Sequence, residues 1–357
     1  MSGMFFPFRA GDRVPDLQLP DVEGRPRKLL WAFQGEPVAL LALADGRAID
    51  SRMADIVAAA RGLGATCAVV VGAPPAVAGV ALAEAGLGGE AVFTLCDPDR
   101  RFLRPMLAPD AAQGASAAAV HDRRVMLLDA NQRLVAQFAG MSMDAIRAGM
   151  RDAVALARAE RPADSLHVGS AAPVMILPRV FEPEFRAALI ELWHAGERGD
   201  GGVASRYGNV VSASRKQTED HIVTDPAFVR QIFDRLAYRV GPELAKGFGW
   251  DRQFGFDAPV IISYAAEARH FFGAHRDNNT PQSADRAFAV SLNLNEGFEG
   301  GELVFPEYGP TRFRPGAGAA AIFSCSLLHE ALPVTSGRRF VLTTFFRDRG
   351  PATPKPG

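Results

Sequence analysis

Along the first half of the chain, apolar runs of strand length alternate with stretches whose apolar positions recur at helical spacing. Pro37 to Ala44 is continuously apolar and predicts a buried central strand. Asp50 to Leu63 then predicts a helix, with Ile49, Met53, Ile56, Val57 and Ala60 on one face. Thr66 to Val71 predicts a second buried strand, Pro75 to Ala85 an Ala-rich helix, and Ala91 to Leu95 a strand stopping at Asp97-Pro98-Asp99. Val125 to Asp129 and Leu134 to Phe138 flank Ala130-Asn131-Gln132-Arg133, a hairpin signal. Met143 to Arg158 predicts a helix whose stripe is Ile146, Met150, Val154 and Leu156. Strands alternating with helices, then a hairpin and a helix, make an α/β layer architecture.

The pattern changes after residue 161. Residues 162–172 are polar, small and Pro/Gly-containing, as a linker would be. Pro173 to Leu177 predicts a strand, and Glu182 to Trp193 a helix with Phe185, Leu189 and Leu192 on one side. Gly199 to Gly202 reads as a loop, and the polar stretch holding Arg215, Lys216 and His221 is a candidate wall of a substrate entrance. Asp225 to Lys246 predicts one long helix, opened by Asp-Pro. Strand-length apolar runs then dominate: Ile261-Ile262-Ser263-Tyr264, Leu303 to Phe305, Ala319 to Phe323, and the segment from Arg339 to Phe345. The predicted organisation is a first domain at 1–161, a linker at 162–172, a second domain at 173–350 and a tail at 351–357.

Composition fits this division. With 357 residues, 48% hydrophobic and 22% charged, the chain can bury two cores. A formal net charge of −1 offers no global field to recruit nucleic acid or an anionic membrane. No apolar run is long enough to span a bilayer, and the run near Met1 is too short for a signal peptide. Three cysteines do not make a disulfide framework, which points to a reducing cytoplasmic compartment.

The candidate chemistry lies in Phe271-Phe272-Gly273-Ala274-His275-Arg276-Asp277-Asn278. On a strand, His275 and Asp277 would project from the same face. His329, in Ser326-Leu327-Leu328-His329-Glu330, is the third candidate ligand. Two imidazoles and one carboxylate on one face of a metal, with open positions, are the ligand set of non-heme Fe(II) oxygenases. An Arg on the following strand could hold a dicarboxylate by a bidentate pair. Arg338 and Arg339 must face opposite sides there, so only one can enter the site, and spacing favours Arg339.

Tyr264, His275 and Asp277 with Asn278, the Gly300-Gly301-Glu302-Leu303-Val304-Phe305-Pro306 segment, His329, Gly337 and Arg339 together resemble the prolyl-4-hydroxylase-like Fe(II)/2-oxoglutarate dioxygenases. The resemblance covers roughly residues 173–348 and implies a double-stranded β-helix. It implies that His275, Asp277 and His329 bind Fe(II), and that Arg339 grips the distal carboxylate of 2-oxoglutarate. Tyr264 and Thr343 would be hydrogen-bond partners of that cosubstrate. O₂, and ascorbate as an accessory reductant, complete the implied set. The implied substrate is a small molecule or peptide carrying a prolyl or other amino-acyl group, free or peptidyl. A homo-oligomer is left open by the sequence. The interval from Tyr264 to His275 is longer than the family pattern.

In the first half, Gly11-Asp12-Arg13-Val14-Pro15-Asp16, the Pro37 strand and Cys96-Asp97-Pro98-Asp99 resemble the peroxiredoxin branch of the thioredoxin fold. That resemblance covers roughly residues 8–160. It implies a reactive Cys at the start of the helix after the central strand, where Ala44 to Ser51 has none, and no Cys-x-x-Cys occurs. The first domain is therefore expected to be redox-inert, with Cys67 and Cys96 as small buried hydrophobes and Cys325 a packing residue. His121, His167, His194 and His221 show no partner pattern, and His270 is expected to face away from His275. Two rival readings follow from the same residues: a thiol peroxidase, and a two-domain interaction scaffold without catalysis.

Overall fold

A computed structural model of the chain describes residues 8–16, 18–88, 92–108, 122–160, 171–200, 202–205, 208–211 and 216–351. The chain divides into two compact units, Met1–Ser165 and Leu166–Gly357. Of the expected linker, 162–170 lie outside the described residues, as do all but Pro351 of the expected tail and the side chains of His121, His167 and Arg215.

In the first unit the six apolar residues of Val38–Leu43 are all buried, as expected for a central strand covered on both faces. Thr66–Val71 lies parallel to it and Phe93–Cys96 parallel to that strand. On the other side Arg123–Leu128 is antiparallel to Val38–Leu43 and forms a hairpin with Leu134–Phe138. Met53, Ile56, Val57, Met150 and Val154, from helices Ser51–Gly62 and Met143–Ala159, pack on one face of the sheet. Val14, Leu29, Leu103 and Met106 pack on the other. Asp50 caps its helix by accepting from the Met53 N–H. The expected stripe of the last helix is wrong at Leu156, which is exposed. Ala153 and Ala157 are the buried residues there instead.

The second unit is sheet-rich. Successive strands alternate between two sheets: Val260–Ala265, Arg286–Asn293, Ala320–Ser324 and Arg338–Pro351 belong to the larger, eight-stranded one. Phe271–His275, Leu303–Val304 and His329–Ala331 belong to the smaller, five-stranded one. This alternation sandwiches an inner cluster that draws Ile262, Tyr264, Phe323 and Val341 from the large sheet and Leu303 and Ala331 from the small one. The outer face of the large sheet packs on helix residues Phe185, Leu189, Trp193, Ile232, Leu236 and Leu244.

Several expectations are corrected in this unit. The predicted helix from Asp225 to Lys246 is two, Pro226–Arg239 and Gly241–Phe248. Pro242 cannot donate to the preceding turn and restarts the helix at its first turn. Gly199–Asp200, expected in a loop, is a short strand paired with Glu219 and Asp220. The strand expected over Pro173–Leu177 covers only Met175–Leu177. Trp193 rather than Leu192 is the buried residue that ends the stripe of helix Pro183–Ala195.

Candidate active site

The strand Phe271–His275 ends at His275, so Asp277 is not on it. The expected alternation of i and i+2 along one strand therefore does not place the carboxylate. Asp277 sits in the following turn, where its N–H donates to the Cys325 carbonyl at 3.0 Å and its own carbonyl accepts from Arg286 Nη1 at 3.1 Å. Arg286 is in turn held by Asp257 and lies 3.9 Å over the Phe345 ring. His275 is cross-strand partner to His329. The result brings all three residues together, with one donor atom from each within 4.8 Å of the others.

The imidazoles are oriented from behind. His275 Nδ1 lies 2.8 Å from the Gly273 carbonyl and His329 Nδ1 lies 3.1 Å from the Leu327 carbonyl. Carbonyls only accept, so both rings carry the proton on Nδ1 and present a free Nε2. The Nε2 atoms of His275 and His329 lie 3.4 Å and 3.5 Å from the two Asp277 oxygens. Phe272 stacks on His275 with centroids 3.6 Å apart, and Phe323 meets His329 edge-on at 4.6 Å. Burial pushes the Asp277 carboxyl up, but the imidazoles and the Arg286 guanidinium around it outweigh that and hold it ionised, below its usual range. Burial likewise lowers His329, favouring its neutral form. Two imidazoles presenting Nε2 and an ionised carboxylate on one locus fit a divalent metal ion.

Arg339 is 2% exposed. Its Nε donates to Asn293 Oδ1 at 2.9 Å, and its guanidinium lies over Tyr264 at 5.3 Å and Phe298 at 5.9 Å. No carboxylate among the described residues pairs with it. Burial draws its pKa down to about 10, countered by Tyr264 and Glu302, so it stays charged at neutral pH. Gly301 makes room for it: with φ +69°, a Cβ there would meet Arg339 Cδ at 2.9 Å. Arg338 points to the opposite face, where Glu219, Glu267 and Ser263 take its guanidinium. Tyr264 is buried beside Arg339, and desolvation raises its phenol. Thr343 follows on the same face, but its hydroxyl donates to the Val290 carbonyl at 3.0 Å.

A cavity of about 1060 Å³ opens over the three ligands, lined also by Ile262, Ser291, Thr343 and Phe345. Lys216 and His221, expected near the entrance, line it too. His270 stays apart, with Nδ1 accepting from the Ala265 N–H at 3.1 Å. Asn293 was missed by sequence reasoning. It bridges Arg339 Nε and the Pro315 carbonyl, and an Asn on the inner face of a barrel strand was the only available signal.

Two histidines and a carboxylate in a sheet-rich unit, with a cavity above and a buried Arg that no carboxylate among the described residues pairs with, define a site of the non-heme iron oxygenase class. The model of the 2OG-Fe(II) oxygenase superfamily matches residues 260–347. A PKHD-type hydroxylase of Hyphomonas neptunium is 30% identical over 166 residues, covering 44% of this chain and 69% of the relative. A PKHD-type hydroxylase of Shewanella baltica is 29% identical over 188 residues, covering 49% of this chain and 80% of the relative. A solved structure of peroxidoxin BcpB from Mycobacterium tuberculosis shares 21% identity at a TM-score of 0.33, covering 43% of this chain and 99% of that one. The chain belongs to the 2OG-Fe(II) oxygenase superfamily. Membership implies Fe(II), 2-oxoglutarate and O₂. Among the described residues no helix is long and apolar enough to cross a membrane.

Proposed function

We propose that the second unit is an Fe(II)- and 2-oxoglutarate-dependent hydroxylase acting on a C–H bond of a prolyl or other amino-acyl substrate. The observation that carries this reading is the presence in one unit of the His275/Asp277/His329 donor set and a buried guanidinium with no carboxylate partner among the described residues. The names of the PKHD-type relatives support the hydroxylase assignment, and the cavity of about 1060 Å³ has room for a peptidyl substrate beside the cosubstrate.

His275, Asp277 and His329 would hold the iron through Nε2, a carboxylate oxygen and Nε2. Bound iron supplies O₂ activation for C–H hydroxylation, coupled to conversion of 2-oxoglutarate to succinate and CO₂. Gly273 and Leu327 carbonyls keep the imidazole lone pairs aimed, while Arg286 and the Cys325 carbonyl fix the Asp277 backbone. Arg339 would take the distal carboxylate of 2-oxoglutarate through its terminal nitrogens, with Nε already committed to Asn293. Tyr264 and Phe298 shield that contact from water, which strengthens it. Thr343 has no proton to spare for the cosubstrate, whose oxygens are all acceptors, because its hydroxyl donates to the Val290 carbonyl.

The first unit, in this reading, is a thioredoxin-like domain over 1–161 that carries no thiol chemistry. Cys67 and Cys96 are buried, and desolvation pushes both thiols to about 11, far from the thiolate a nucleophile needs. The dioxygenase domain spans 173–350.

The test is incubation of the full-length protein with Fe(II), 2-oxoglutarate and ascorbate, against prolyl peptides and free amino acids. Expected is substrate-dependent succinate with a one-oxygen mass gain on the substrate. Iron-loaded protein that consumes no 2-oxoglutarate under any of these conditions would contradict the assignment.

A further inference from the structure

Glu307 lies beyond the ligand set, in Phe305-Pro306-Glu307-Tyr308, after the Gly300-Gly301 turn. Its carboxylate accepts from Arg276, at 2.7 Å from Nη2 to Oε1 and 3.2 Å from Nη1 to Oε2. Its Oε2 also accepts from the Leu328 N–H at 3.0 Å. Arg276 is the residue between His275 and Asp277, and Leu328 immediately precedes His329. One carboxylate thus touches both segments that carry ligands. Arg276 Nη1 also donates to the Ser326 carbonyl, and Asn278 Nδ2 donates to Ser326 Oγ at 2.8 Å. Both residues flanking Asp277 are therefore tied to the turn before His329.

The sheet alone does little to hold this spacing. His329 begins a strand of three residues, and its pairing with Phe271–His275 is interrupted by a register shift. Short, irregular pairings specify register weakly. An exposed ion pair by itself contributes little, but this one is bidentate and its carboxylate also satisfies a backbone N–H next to a ligand. We propose that Glu307 is a positioning residue: with Arg276 it forms a clasp that sets His329 against His275 and Asp277 and so raises the affinity of the site for its metal. This rests on the iron-site reading above. The cause is preorganisation, because a ligand segment that moves independently must be ordered at the moment of binding.

The experiment titrates the full-length, metal-free protein with Co(II), read by visible absorption of the bound ion, and records thermal unfolding of the same metal-free samples. Glu307→Ala is expected to weaken Co(II) binding by about tenfold or more, the scale of losses when groups behind metal ligands are removed. Glu307→Gln keeps an oxygen for the Leu328 N–H and should fall between wild type and Glu307→Ala. Metal-free unfolding should move little in either variant. Adding Arg276→Ala to Glu307→Ala should cost little more, since both act through one contact. The clasp is refuted if Glu307→Ala binds Co(II) as wild type does. It is equally refuted if the loss of affinity in both variants is matched by a loss of metal-free stability, which marks general structural damage. Wild type that binds no Co(II) would remove the iron-site reading itself and the clasp with it. Tight binding by wild type and an unchanged Glu307→Ala would remove the clasp alone.

Discussion

The two units bury their reactive groups in opposite ways. In the first, Cys67 faces hydrocarbon and the Val57 carbonyl, and Cys96 is sealed in the core. Asp50, at the start of the helix after the central strand, is fully engaged: Arg123 grips both its oxygens, at 2.9 Å and 2.7 Å, and Met53 N–H donates to it. Asp97 is buried and accepts from the N–H groups of Arg101, Phe102 and Leu103. In the second unit, Arg339 is as deeply buried but, among the described residues, hydrogen-bonds to a side chain through Nε alone. Asp277 faces two imidazoles whose Nε2 atoms have no other partner among the described residues. Polar groups satisfied on all sides hold a fold together. Those buried with donors or lone pairs left unspent are equipped to bind something.

Removing the unused capacity at Arg339 is the strongest way to sharpen this contrast. Arg339→Lys keeps the charge but loses the fork. The Michaelis constant for 2-oxoglutarate should rise by about tenfold or more, given the usual strength of hydrogen bonds to charged groups. Arg338→Ala should leave that constant unchanged, because Arg338 belongs to the outer face with Glu219 and Glu267. Asn293→Asp should raise the constant as well, by placing an internal carboxylate against Arg339 where the cosubstrate must compete with it.

A satisfied buried charge should behave differently, through stability and pH. Burial alone would push the Glu182 carboxyl up, but Arg239 and Arg235 hold it down at about 2, against 4.5 for a free side chain. A carboxyl lowered on folding stabilises above the unfolded value and loses that contribution as pH falls through the folded one. The pair should therefore contribute roughly 3 kcal/mol at neutral pH, fading between about pH 4.5 and pH 2. Denaturant unfolding of wild type and Glu182→Gln at neutral and acid pH checks this. The two proteins should differ at neutral pH and converge in acid.

The smallest effect belongs to the first unit. Changing Cys67 and Cys96 together to Ala should cost about 1 kcal/mol at each site through lost packing. Succinate formation should be unaffected. Thiol-dependent peroxide consumption by wild type that vanishes in this double variant would erase the difference between the units and return the peroxidase reading.

Much of this was legible before the fold was known, and the exceptions share a cause. Strand and helix periods located Val38–Leu43, Thr66–Val71 and Ser51–Gly62 to within a residue or two, because those elements are buried by their own pattern. His275, Asp277 and His329, which the fold brings together, are legible from residue type and spacing, which survive small errors of structure. Asp277 lies two residues past the end of its expected strand, and a turn pinned by Cys325 and Arg286 places it instead. Asn293 and Glu307 were invisible, since each acts on residues distant in sequence and neither type is unusual where it stands. Leu156 and the break at Gly241-Pro242 were misread because the helical period was followed past what packing and backbone allow.

The central claim is that chemistry resides in the His275/Asp277/His329 set of the second unit. The most direct measurement is 2-oxoglutarate-dependent succinate formation by full-length Asp277→Ala, with circular dichroism run on the same sample. The account predicts a folded protein, with the strands and helices of both units retained, that forms no succinate above a no-enzyme control. A folded Asp277→Ala protein that turns over 2-oxoglutarate at the wild-type rate would contradict it.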